Sequence, residues 1–92
     1  MYLSHPVRRM REDPVEGERV TLVVTAASER SVEDLETAIE DTGVRVTKRL
    51  QFGALRVELV QERIDDLCAL GGIESVETAN TVGVGGDAGE DV

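Results

Sequence analysis

Aromatic side chains are almost missing from this chain. Tyr2 and Phe52 are the two it has, and there is no Trp. A core must therefore be filled by Val, Leu, Ile and Ala, and a sheet that stacks RNA bases on paired aromatics has nothing to stack with. Cysteine is limited to Cys68, which excludes an intramolecular disulfide and a cysteine metal cluster. The single histidine, His5, stands near the N-terminus, away from any motif that would use it. No zinc-ligand spacing, Walker loop or GxGxxG is present, since Gly83 to Gly86 open no helix. Ser28, Ser31 and Ser75 have no base in a recognisable motif, and Asp65-Asp66 reads as solvated helix charge, so no catalytic residue and no cofactor is expected.

Positive charge is scarce as well. Ten Lys and Arg stand against nineteen Asp and Glu, a formal net charge of −9, and Lys48 is the lone lysine. That balance argues against a general nucleic-acid binder. No apolar run approaches membrane-spanning length. Arg8-Arg9 invites a twin-arginine export reading, but Met10-Arg11-Glu12-Asp13-Pro14 follows where an apolar segment should stand, so a cytoplasmic protein is expected. Ninety-two residues make one domain with a thin core, burying only roughly 60 % of the surface of the unfolded chain.

Periodicity supplies the rest. Residues 1–17 carry His5-Pro6, Asp13-Pro14 and mixed charge, and read as a flexible leader. Residues 19–25 alternate as a strand, with Val20, Leu22 and Val24 on one face and Thr21, Val23 and Thr25 on the other. Ser28 or Ser31 caps a helix that buries Val32, Leu35 and Ile39 and stops at Gly43. Val44, Val46 and Leu50 point inward from a second strand and Arg45, Thr47 and Arg49 outward, while Lys48 interrupts the inward series and suggests a bulge or the edge of the sheet there. Gly53 turns the chain into a third strand, with Leu55, Val57 and Leu59 inside and Arg56 and Glu58 outside. A helix over 62–70 buries Ile64, Leu67 and Cys68, and a fourth strand over 74–81 buries Val76. Residues 83–92 are Gly-rich and acidic and read as a disordered tail. The ordered domain is thus expected over 18–82.

This β-α-β-β-α-β succession predicts an α+β, ferredoxin-like fold: a four-stranded antiparallel sheet in the order 4-1-3-2, with two helices on one face. The uncovered face then gathers Arg45, Arg49 and Arg56 beside Thr21, Val23 and Thr25, with Glu77 and Ala79 on the far strand. Small residues at the centre of a bare sheet suit a protein-docking platform; cross-strand pairing of the arginines with Glu58 is the plainer alternative.

The Gly-apolar strand, the short charged helix and the run Gly72-Ile73-Glu74-Ser75-Val76-Glu77 resemble the propeptide domain of subtilisin-like proteases and its stand-alone inhibitor relatives. The resemblance covers roughly residues 19–82. It implies that the open sheet face docks on two parallel helices of a serine protease, with acidic residues of the last strand capping them. The family commonly shows Val-Glu-x-Asp there; this chain has Val76-Glu77-Thr78-Ala79, so Glu77 matches and Ala79 departs. It also implies a product-like tail in the protease cleft, here Asn80, Thr81, Val82, Gly83 and Val84. The partner-binding set is accordingly Glu77, Thr21, Val23, Arg45, Arg49 and Arg56 with that tail, and the function a protease inhibitor or folding chaperone. An ACT-type small-molecule sensor shares the topology but usually carries Asp-x-Pro-Gly where this chain has Ala26-Ala27-Ser28-Glu29-Arg30. A self-associating domain without inhibitory activity is a further alternative. The acid excess and scarce lysine resemble proteins of salt-loving organisms, haloarchaea among them. In roughly 1 M salt the Debye length falls to about 3 Å, and a carboxylate-covered surface no longer repels itself.

Overall fold

The computed structural model describes residues 1–79. Its elements run β1 (Tyr2–Leu3), α1 (His5–Glu12), β2 (Arg19–Ala26), α2 (Val32–Asp41), β3 (Arg45–Arg49), β4 (Ala54–Val60), a 3-10 turn (Gln61–Arg63), α3 (Ile64–Cys68) and β5 (Ile73–Thr78). The class is α+β, but the expected four-strand, two-helix sandwich is corrected. Among the described residues, five strands form one sheet in the order β1-β5-β2-β4-β3, with three α-helices. The added strand β1 pairs parallel with β5, Tyr2 opposite Ser75 and Leu3 opposite Val76, so the sheet is mixed rather than purely antiparallel.

The reading of residues 1–17 as a flexible leader is corrected for the same reason. Pro6 sits in the first turn of α1, where a missing N–H costs nothing, and Val7 and Met10 lie three apart on one face. Val7 is fully buried, and Leu3 and Met10 pack against the same core. Arg11 Nε donates to Asp65 Oδ1 at 2.9 Å, tying α1 to α3. Beyond the helix, the backbone N–H groups of Val15 and Gly17 donate to the Gln61 and Glu62 side chains, both at 2.9 Å. A helix of eight residues is too short to hold itself in water, so these contacts and the burial of Val7 stabilise it.

One core lies between the sheet and the helices. Leu22 and Val24 of β2, Leu55 and Val57 of β4, and Val76 of β5 face Leu35 and Ile39 of α2 and Ile64 and Leu67 of α3, all fully buried. These are the phases that the alternation and the helical spacing predict. Each buried Leu or Ile contributes on the order of 1.5–3 kcal/mol. Ser31 is the cap of α2, its Oγ accepting from the Asp34 N–H at 3.4 Å. Gly53 takes the expected positive φ of 74°, and Phe52 before it takes 60°, a left-handed conformation that a bulky residue rarely adopts. Cys68 is buried, and that burial pushes its thiol above the ordinary value while Arg11 pulls weakly the other way. It packs as a small hydrophobe rather than a reactive thiolate.

Candidate functional site

The sheet has one covered and one bare face, and the residues of the bare face follow from strand register. Side chains alternate across a strand, so paired residues share a face. Core residues Leu22, Val57 and Val76 fix the covered side, and the intervening positions are open. The pairings give three rows. Arg45, Glu58 and Thr21 form the first. Lys48, Arg56, Val23 and Glu77 form the second. Ala54, Thr25, Ser75 and Tyr2 form the third.

Of the sequence-predicted docking residues, Thr21, Val23, Arg45, Arg56 and Glu77 meet on this surface. Val23 is 7 % exposed at its centre, flanked by Arg56 and Glu77, whose stems are long enough to shield it. Arg49 is corrected. The register of β3 against β4 shifts between Val46 and Lys48, leaving Thr47 as an extra, bulged residue. Thr47 Oγ1 donates to the Arg56 carbonyl at 3.1 Å, satisfying backbone at the irregularity. Past the bulge the phase reverses. Lys48 stands opposite Arg56 on the open face, and Arg49 stands opposite Leu55 on the covered side. There Arg49 Nε donates to Glu36 Oε1 of α2 at 2.9 Å, with Glu33 at 4.0 Å. Asn80, Thr81, Val82, Gly83 and Val84 lie outside the described residues, as does the tail 83–92.

Besides Ala54 and Ser75, three charged or aromatic residues join the surface that the sequence reading did not assign to it. Lys48 was misplaced by the bulge, although its interruption of the inward series was the signal. Tyr2 enters through β1 and is 57 % exposed beside Ser75. Arg19 shares the parity of Thr21 and approaches Glu58 at 3.9 Å, a partial version of the arginine–Glu58 pairing. Phe52, 92 % exposed at the tip of the β3–β4 hairpin, is the other aromatic, so both aromatics of the chain lie outside the core. A groove of about 390 Å³ opens where Pro6 and Met10 of α1 meet Arg19, Val20 and Thr21 of β2 and Thr78 of β5.

Among the described residues no group of three or more His, Cys, Asp or Glu is placed to hold a metal ion. No described helix is long and apolar enough to cross a membrane. The geometry offers flat, polar, one-sided contact, with charge at its rim and small residues at its middle.

Neither the curated proteins nor the solved structures hold a match to the chain. A family model does, over residues 2–79, and its span takes in β1 and α1 together with the rest of the sheet and its helices. By that match the chain belongs to the family described as "Putative peptidase inhibitor domain".

Proposed function

We propose that this protein is a non-catalytic inhibitor of a subtilisin-like serine peptidase, docking through the bare face of its sheet. The observation that supports the reading most is the one-sided sheet itself: all three described helices contribute to one core, and the other face, which holds Thr21, Val23 and Glu77, carries no described helix. A chain of a peptidase inhibitor family has a protein as its partner. Glu77 is on the bare face, half-buried, where a carboxylate can accept from the free N–H groups at the start of a partner helix. The segment after Thr78 follows the strand that carries Glu77, and in this reading residues 80–84 occupy the peptidase cleft.

The test is inhibition of a subtilisin-type peptidase, in salt where both proteins are folded. The intact chain should slow the enzyme at micromolar concentration or below. Glu77→Ala should weaken inhibition by about 2–5-fold, the equivalent of roughly 0.3–1 kcal/mol for a carboxylate at a helix N-terminus. Removing residues 80–92 should weaken it further, and Ala79→Asp should strengthen it. Digestion of the intact chain as an ordinary substrate, or inhibition indifferent to all three changes, would overturn the proposal.

A further inference from the structure

The open face inverts the charge of the molecule. Its paired positions hold Arg19, Arg45, Lys48 and Arg56 against Glu58 and Glu77, four cations and two anions on a chain of net charge −9. Three of the four cations are also left unpaired, Arg19 alone approaching Glu58 at 3.9 Å. Arg45, Lys48 and Arg56 are exposed and make no ion pair among the described residues, in a sequence with nineteen carboxylates. Other arginines do find partners, Arg11 with Asp65, Arg49 with Glu36 and Arg63 with Asp66, although Arg8 and Arg9 of α1 are also exposed and make no ion pair among the described residues. Lys48 and Arg56 moreover stand directly opposite each other across the β3–β4 ladder, where like charges destabilise a sheet. The fold thus holds a local repulsion that it does not relieve, at the place where the bulge put Lys48.

Resting on the peptidase reading above, we infer that the partner surface facing β3 and β4 is acidic. The second row has an order, with Lys48 and Arg56 at one end, Val23 in the middle and Glu77 at the other end, across about 14 Å at the usual strand spacing. A partner that fits it presents carboxylates to β3 and β4 and hydrogen-bond donors to β5. Two acidic proteins repel at long range; a basic face on one of them turns the encounter so that this face leads. Nucleic acid fits less well, because Glu58 and Glu77 interrupt the patch and the rest of the chain repels phosphate.

The experiment uses two subtilisin-type peptidases, one with a strongly acidic surface and one near neutral, and two variants of equal net charge. Lys48→Glu with Arg56→Glu alters the face; Arg8→Glu with Arg9→Glu alters exposed arginines of α1 outside it. All are compared at the lowest salt at which circular dichroism shows every protein folded. The unaltered chain should prefer the acidic peptidase by about 10-fold or more, and the preference should shrink as salt rises. The face pair should abolish that preference and the α1 pair should leave it. Equal effects of the two pairs, or no preference at any salt, would overturn the inference while leaving inhibition itself standing. Should neither peptidase be inhibited, poly-L-glutamate becomes the probe. Amide shifts confined to β3 and β4 and lost in the face pair support an acidic partner, and their absence refutes it. Tighter binding of single-stranded DNA of matched charge, or face-dependent self-association in sedimentation, would also overturn it.

Discussion

The two faces of the sheet are made from the same strands and obey different rules. On the covered face, Leu22, Val24, Leu55, Val57 and Val76 are fully buried and apolar. On the bare face the same strands carry Thr21, Arg56, Glu58 and Glu77, and one contact there sets like charges against each other. Folding determines the first arrangement, because each of those side chains loses its stabilisation if it turns outward. It is indifferent to the second within a few tenths of a kcal/mol per residue, so another requirement is free to shape it.

Neighbouring residues on opposite faces break that comparison most sharply. Leu22→Ala should cost about 2–5 kcal/mol in a denaturant melt, a large share of the roughly 5–15 kcal/mol of a small domain. Thr21→Ala, one residue away, should stay within about 0.5 kcal/mol of the unaltered chain and act on binding instead. Comparable losses at both positions would mean that the bare face contributes to the fold after all.

The bulge provides a finer version. Arg49→Ala removes the bridge to Glu36 at 2.9 Å and should cost about 0.2–1 kcal/mol of stability with inhibition unchanged. Lys48→Ala should leave stability unchanged or raise it slightly, since it relieves the repulsion with Arg56, and should weaken binding to an acidic partner. The opposite assignment of effects would show that the register does not shift at Thr47.

These pairs also mark how much was legible in the sequence. Strict alternation in 19–25 and 55–59 and the helical spacing of Val32, Leu35 and Ile39 placed the covered face correctly, because burial leaves each of those positions no alternative. In β3 the pattern Val44, Val46, Lys48, Leu50 is ambiguous. A single extra residue moves every later side chain to the other face, and only pairing with β4 shows where it sits. The N-terminal segment was missed for a different reason. Val7 and Met10 are a weak signal in a strongly charged eight-residue helix, and what orders it is non-local: Val76, Asp65 and Gln61 are all more than forty residues away. With it went Tyr2, an aromatic on the bare face. The face of Glu77 was legible because it follows the buried Val76, and its register with Val23 is regular.

The most direct measurement of the central claim is a hydrogen-exchange footprint of the intact chain bound to a subtilisin-type peptidase whose catalytic serine has been replaced by alanine. The account predicts added protection at the backbone of β2, β4 and β5 around Val23, Arg56 and Glu77, with α2 and α3 exchanging as in the free protein. Protection centred on α2 or α3, with the sheet unchanged, would contradict it.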